Sequence, residues 1–141
     1  MRVLLDTCIL SECKQSTPHA GVITYLEFLD SLKTCISVIT VGEIAYGIQR
    51  LKPGKKKLAL EQWLNTLESE YAERILPITS EITRIWGELR AKIQQQGRTL
   101  PAVDGLIAAT AIHHGLHVVT RNTEDFLPTG VLVINPWQLL P

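Results

Sequence analysis

Five short apolar segments recur along the chain and are rich in leucine and β-branched residues. They are RVLL at 2–5, CISVI at 35–39, RILPI at 74–78, HVVT at 117–120 and VLVI at 131–134. Each segment is continuously apolar and does not alternate with polar residues, which is typical of strands buried on both faces of a parallel sheet. The pattern therefore predicts five strands with helices on both sides of the sheet.

The segments between these strands carry apolar residues at helical spacing. Such stripes predict helices over residues 22–33, 60–71, 82–93 and 101–114. Ser80 and Gly97 are the expected N-cap and C-cap of the third helix. Pro101 fits the first turn of the fourth helix, which should stop at Gly115. The stretch LKPGKKK at 51–57 predicts a loop between two helices, whose apolar faces are candidates for a subunit interface.

Strands that alternate with helices imply right-handed crossovers. The expected fold is a three-layer α/β/α sandwich with a five-stranded, mainly parallel sheet. A length of 141 residues fits one domain over 1–141.

Charge and cysteine content narrow the possible functions. Fourteen basic residues balance fourteen acidic ones, so any binding of nucleic acid must depend on a local basic patch. Cysteines at 8, 13 and 35 do not form a disulfide framework, which favours a reducing, cytoplasmic location. Asp6 interrupts the first apolar run too early for a signal peptide, and we expect no membrane span.

Acidic and amide side chains follow three of the predicted strands. Asp6 comes after the first strand, Glu43 after the second, and Asn122 and Asp125 after the fourth. Asp104 lies in the first turns of the helix over 101–114. Because the carboxyl ends of parallel strands share one edge, these groups should face one crevice, where α/β sheets usually bind ligands.

Each acid also has a purely structural explanation. Asp6 and Asp125 could occupy turns. The T-x-x-E pattern at 40–43 could be a capping box that uses Glu43 to start a helix. Asp104 could complement a helix dipole.

These explanations leave the coincidence of several acids at one edge unexplained. Clustered carboxylates repel one another and raise one another's pKa unless a cation neutralises them. Oxygen ligands without thiol or imidazole partners favour Mg²⁺ or Mn²⁺, and Mg²⁺ in such sites commonly assists phosphoryl transfer. The cluster therefore predicts a metal-dependent hydrolase of phosphodiester bonds.

Four segments together resemble a known family. They are LLDTCILSE near the start, ISVITVGEIAYGI at 36–48, PAVDGLIAATAIHHGLHVVTRNTEDF at 101–126 and INPW at 134–137. In order and spacing they are similar to PIN-domain ribonucleases of the VapC/FitB-like toxin branch. The resemblance implies an endoribonuclease that depends on Mg²⁺ or Mn²⁺, acts on RNA as a homodimer and is inhibited by a cognate antitoxin.

The resemblance also assigns site residues. Asp6, Glu43 and Asp104 match the three leading acids of the family, with Asp6 and Asp104 as principal metal ligands and Glu43 as ligand or water-positioning base. Asn122 stands where many members carry a fourth acid. Asp125, in the same loop, is the alternative fourth acid.

Other positions concern the surroundings of the acids. Cys8 departs from the family, which usually has asparagine there, while Thr7 and Thr120 match polar positions that can hydrogen-bond a ligand carboxylate. Arg98 and Arg121 are candidates for contacts to RNA phosphates, although an ion pair or a solvated loop would also explain them.

Two other functions stay open at this point. One is a housekeeping PIN-domain nuclease that processes RNA without an antitoxin. The other is a catalytically weak module that binds RNA or protein. A small DNA-binding protein encoded directly upstream would favour the toxin, and metal-dependent RNA cleavage would exclude the inert module.

Overall fold

A single sheet of five parallel strands forms the centre of the computed structural model, which describes residues 1–139. The strand order is β3-β2-β1-β4-β5. The strands are β1 (Val3–Leu5), β2 (Thr34–Ser37), β3 (Ile75–Leu76), β4 (His117–Val119) and β5 (Val133–Ile134). All four pairings are parallel, so the predicted sheet is confirmed. The last two residues of the predicted domain, 140–141, lie outside the described residues.

Helices cover both faces of this sheet. They are α1 (Thr7–Cys13), α2 (Ala20–Phe28), α3 (Val38–Gln49), α4 (Lys55–Tyr71), α5 (Ser80–Gln95), α6 (Ala102–His114) and α7 (Thr123–Phe126). Val3 and Leu5 point to the core formed with α1 to α4, whereas Leu4 points to the core formed with α6 and α7. The predicted three-layer sandwich is therefore confirmed.

Several predicted elements extend too far at their C-terminal ends; the third strand, predicted over 74–78, ends at Leu76, and the fourth, predicted over 117–120, ends at Val119. The second strand ends at Ser37, because the Ser37 hydroxyl accepts a hydrogen bond from the Ile39 amide at 3.1 Å and caps α3. Its last two predicted residues are therefore the first turn of a helix. The first predicted helix ends at Phe28 and not at Lys33, since Asp30 accepts from the Leu32 amide and starts a separate 3₁₀ turn.

Two helix starts are displaced by one residue. Thr79, and not Ser80, caps α5 by accepting from the Ile82 amide at 3.3 Å. Pro101 precedes the first residue of α6. Gly115 has a φ of +67° and ends α6 as predicted, because a left-handed residue stops a helix at low cost only when it is glycine.

The loop between α3 and α4 is shorter than predicted. Helix α4 begins at Lys55, so Lys55, Lys56 and Lys57 already lie on its first turn, and Lys52 precedes it. The predicted helical hairpin is present, since α3 packs against α4.

The close approach of α5 and α6 depends on Gly105. A Cβ atom at this position would lie 2.8 Å from the Trp86 ring and 2.9 Å from the Leu100 side chain. The contact therefore fixes the start of α6, which carries Asp104, against the rest of the fold. Within residues 1–139, no helix combines the length and the apolar character needed to cross a bilayer.

Candidate active site

Asp6 joins the first strand directly to a helix that the sequence pattern did not predict. It is buried, with 4% of its surface exposed, and its Oδ1 accepts a hydrogen bond from the Thr7 amide at 2.8 Å. Asp6 thereby caps α1. The second carboxylate oxygen accepts from the Thr120 hydroxyl at 2.8 Å, which ties the end of β1 to the end of β4. The signal for α1 was an N-cap aspartate, which also fits a turn.

Glu43 lies in the second turn of α3, where it does not cap the helix. The predicted capping box is wrong, because Ser37 takes the N-cap role three residues before Thr40. The Glu43 side chain instead accepts a hydrogen bond from the Thr7 hydroxyl on α1. Thr40 lies beside this pair, with 3.3 Å between its hydroxyl oxygen and that of Thr7. Glu43 therefore faces the Asp6 end of the crevice.

Asp104, in the first turn of α6, lies among three other carboxylates. Burial raises its pKa to about 7, with further contributions from the charge of Asp6, the charge and hydrogen bond of Asp125, and the charge of Glu43. The four predicted acids are therefore brought to one crevice at the carboxyl edge of the sheet. Burial first, and the neighbouring carboxylates second, thus favour the protonated form of Asp104 near neutral pH.

The pKa of Asp6 is raised as well. Burial raises its pKa, against hydrogen bonds from Thr120, Thr7 and Cys8 that lower it. These donors stabilise the carboxylate but do not remove the cost of burying it. A bound cation would favour the charged forms of both Asp6 and Asp104.

The two candidates for the fourth position differ in their surroundings. The side chain of Asn122 is exposed, and its backbone amide donates to the Thr120 hydroxyl at 3.0 Å. Asp125, on α7, is also exposed, but its carboxylate lies close enough to Asp104 to raise the pKa of that group. Phe126 next to it is fully buried, so the neighbouring turn is anchored in the core as expected from the sequence.

Cys8 lies within the hydrogen-bonding shell of Asp6. Its sulfur is 3.7 Å from Asp6 Oδ2 and 3.6 Å from the Thr120 hydroxyl oxygen, and it accepts from the Arg121 amide at 3.5 Å. Burial and the charge of Asp6 raise the pKa of the thiol, which keeps it neutral and able to donate. The thiol connects α1 to the loop that carries Asn122.

The two candidate arginines lie in different settings. Arg98 lines a cavity of about 550 Å³ together with Glu124 and Asp125. The Arg121 guanidinium stacks over the Trp137 ring, with 5.2 Å between the guanidinium carbon and the ring centroid. Arg98 thus borders a cavity beside Asp125, and Arg121 borders a smaller one of about 280 Å³ that Asn122 and Asp125 also line.

The donor set of the crevice fits a hard cation. Its candidate ligands are carboxylate and amide oxygens, which Mg²⁺ and Mn²⁺ prefer. Across residues 1–139, no three His, Cys, Asp or Glu side chains form a ready-made ligand group. Mg²⁺ does not require one, since it commonly takes one or two carboxylates directly and keeps several waters.

Comparison with known proteins agrees with this combination of parallel sheet and clustered carboxylates. The family model described as "PIN domain" matches residues 3–129, and the chain belongs to this family. It is 38% identical to Toxin FitB of Neisseria gonorrhoeae over 137 residues, which cover 96% of this chain and 99% of that protein.

Two further similarities cover almost the whole chain. The VapC ribonuclease Y4jK of Sinorhizobium fredii is 33% identical over 140 residues, or 96% of this chain and 98% of that protein. The solved structure described as FitAB bound to IR36 DNA fragment superposes with a TM-score of 0.94 at 36% identity, covering 99% of this chain and 98% of that one. The resemblance to VapC/FitB-like PIN domains is therefore confirmed.

Proposed function

We propose that this protein is a metal-dependent endoribonuclease that acts as the toxin of a toxin–antitoxin pair. The observation that carries the proposal is the position of Asp104, which is partly buried and lies beside Asp6, Asp125 and Glu43; burial and then these charges raise its pKa to about 7. A structural acid gains nothing from such crowding, whereas a cation site needs it. The chain is similar over almost its whole length to Toxin FitB and to the VapC ribonuclease Y4jK. This similarity supports a toxin role and an RNA substrate.

Asp6 and Asp104 would hold Mg²⁺ or Mn²⁺, with Glu43 as a further ligand or as the base that positions water. When bound, the ion would supply positive charge to the phosphodiester and favour its attack by water. Glu43 would accept the proton of the attacking water while held in orientation by the Thr7 hydroxyl. The oxygen of the water bonds to phosphorus as the bond to the leaving oxygen breaks. One product then ends in a phosphate, and the other ends in a hydroxyl group once the leaving oxygen takes up a proton.

Arg98 would contact a substrate phosphate from the cavity it shares with Asp125. A guanidinium suits this role because its planar donors match phosphate oxygens. Arg121 would contact RNA less directly, since its charge is engaged with the Trp137 ring.

The partner in the cell would be an antitoxin that closes the crevice. A basic side chain, best an arginine, could pair with Asp6 and Asp104 in place of the cation. We further propose that the protein forms a homodimer. We also propose a cytoplasmic location, because the three free cysteines favour a reducing compartment.

Co-expression tests the toxin role. We expect the chain and the small protein encoded directly upstream to purify as one complex with suppressed nuclease activity. Size-exclusion chromatography at micromolar concentration, followed by RNA cleavage assays on the complex and on the separated chain, measures both effects. Separate elution of two proteins would argue against an antitoxin and favour a housekeeping nuclease.

The fourth position is tested by metal titration. We propose that Asp125 completes the site, because its carboxylate lies close enough to Asp104 to raise the pKa of that group. Asp125→Asn is expected to raise the Mg²⁺ concentration for half-maximal cleavage roughly 10- to 100-fold, a range typical of groups that support a metal site. Asn122→Ala is expected to have the smaller effect. The reverse ranking would assign the position to Asn122.

A further inference from the structure

A cavity of about 390 Å³ opens directly beside the acidic crevice. Its walls come from α1, α3 and α4, and Thr7 and Glu43 form the end that it shares with the acids. Ligand pockets in proteins usually measure about 300–1,000 Å³, so the cavity is large enough for one flat ring system. Nothing in the proposed chemistry of Asp6 and Asp104 requires it.

The lining has one apolar side and one basic rim. Ile44, Ile48, Leu60 and Trp63 form the apolar side. The Trp63 ring lines the cavity and is only partly buried, so it offers an aromatic surface at the end where Lys14 lies.

Two lysines lie at the rim. Lys14 Nζ is 5.5 Å from the centroid of the Trp63 ring, and Lys56 lies on the first turn of α4. Both belong to the cavity lining and both are exposed. The acidic charge of Glu43 is therefore confined to one end of the cavity, and the basic charge to the other.

We propose that this cavity holds the nucleobase next to the scissile phosphate, stacked on Trp63, with Lys14 and Lys56 at the adjoining backbone phosphate. The inference rests on the proposed nuclease function, because it places the cut phosphodiester at the neighbouring acids. A base has two apolar faces that stack on an indole, and its phosphates need cations. An aromatic wall with a lysine rim provides both.

The lysine rim favours RNA over a basic protein segment as the occupant, because Lys14 and Lys56 attract phosphates and repel other cations. Thr7 and Glu43 belong both to the crevice and to the cavity, so a strand whose phosphate lies at the acids has its neighbouring nucleoside within reach of Trp63. The cavity would thus make cleavage depend on the presence of a base at one position beside the cut. It would do so by stacking, without any contact to the base-pairing edge of that base.

Gly47 offers a way to fill the cavity without disturbing the fold. It lines the cavity from α3, and a Cβ atom added there meets nothing within 4 Å. Gly87, in the interior of α5, is equally open and lies outside the cavity lining. Gly47→Leu and Gly87→Leu therefore form a matched pair, since both replace an open helical glycine by a strong helix former.

The test compares an RNA oligonucleotide containing one mapped cleavage site with copies that lack the base at each flanking position. For the wild type, removing one particular base is expected to lower kcat/KM roughly 5- to 150-fold, as expected for the loss of one base–aromatic stack. Gly47→Leu and Trp63→Leu should lose this discrimination, while Gly87→Leu and Trp63→Phe should keep it.

Three outcomes overturn the inference. If Gly47→Leu and Trp63→Leu still cleave and discriminate like the wild type, the cavity does not hold the base. If they cleave and discriminate normally but no longer retain the upstream-encoded protein, the cavity belongs to the protein partner. If the wild type cleaves no RNA with Mg²⁺ or Mn²⁺ present, the proposed function itself fails, and the inference fails with it.

Discussion

Asp104→Asn is expected to lower RNA cleavage at least about 100-fold and to raise the melting temperature of the metal-free protein at pH 8. The amide is nearly isosteric with the carboxyl group, so the fold should be retained. Cleavage falls because a negatively charged oxygen is lost from the site. The melting temperature rises because the neutral amide avoids the cost of burying a charged carboxylate and no longer repels Asp6, Asp125 and Glu43.

The pH dependence of this stabilisation has a defined sign. The pKa of Asp104 is raised from 3.8 to about 7 in the folded chain, so between these values the folded state holds a proton that the unfolded state has released. The contribution of Asp104 to the free energy of unfolding is therefore full below about pH 4 and falls until about pH 7. The advantage of Asp104→Asn should be small at pH 4.5 and largest at pH 8.

Thermal melts of wild type and Asp104→Asn in EDTA, at both pH values, measure this difference. With saturating Mg²⁺ the ranking should reverse, because the ion stabilises only the chain that binds it. An equal melting-temperature difference at pH 4.5 and pH 8, together with unchanged cleavage, would show that Asp104 is not part of a cation site.

Asp6→Asn is the second substitution with a large expected effect. It should lower cleavage about as much as Asp104→Asn, because Asp6 is the most buried carboxylate of the crevice, with 4% of its surface exposed. Asparagine caps helices as well as aspartate does, so its one amide oxygen can keep the hydrogen bond from the Thr7 amide. The bond that Thr120 donates to the second oxygen of Asp6 is lost, but the Thr120 hydroxyl can turn to accept from the amide nitrogen instead. The structural role of Asp6 is therefore largely kept while its charge is removed.

Asp6→Ala separates the two roles. It should lose cleavage like Asp6→Asn and should also lose the α1 cap, which costs roughly 0.5–2 kcal/mol of unfolding free energy. Urea denaturation of both variants, alongside cleavage assays, measures the difference. Wild-type cleavage by Asp6→Asn would restrict this residue to capping α1.

The sheet was predictable because its strands are short, continuously apolar and separated by helical stripes. Val3, Leu4 and Leu5 face two cores at once, so none of them can be polar. Element ends were less predictable, because single hydroxyls decide them. Ser37 starts α3 two residues inside the predicted strand, where Val38 and Ile39 favour a strand by composition alone.

Asp6 and Asp125 stood out as candidate acids because they follow strands, but the connections of the candidate acids could not be predicted. Glu43 matched a capping box, and only the position of α1 shows that Thr7 engages it. Thr7 and Thr120 were expected to support the carboxylates, and the hydrogen bonds to Glu43 and Asp6 confirm this.

The cavity beside the acids had no signal in the sequence. Its lining comes from α1, α3 and α4, and Trp63 belongs to an ordinary apolar stripe of α4. A helical stripe predicts which face is buried, but it does not predict where two helices leave space between them. The 51–57 segment predicted only a loop, although Lys56 lies on the first turn of α4 and borders the cavity.

The central claim is that the carboxylate crevice cleaves RNA with the help of a divalent cation. The most direct measurement follows cleavage of mixed RNA by the purified chain, freed of any partner, in Mg²⁺ or Mn²⁺ and in EDTA, beside Asp104→Asn prepared identically. We expect cleavage by the wild type with metal, none in EDTA, recovery when metal is restored, and almost none by the variant. Equal cleavage by both proteins, or cleavage that persists in EDTA, would contradict the claim.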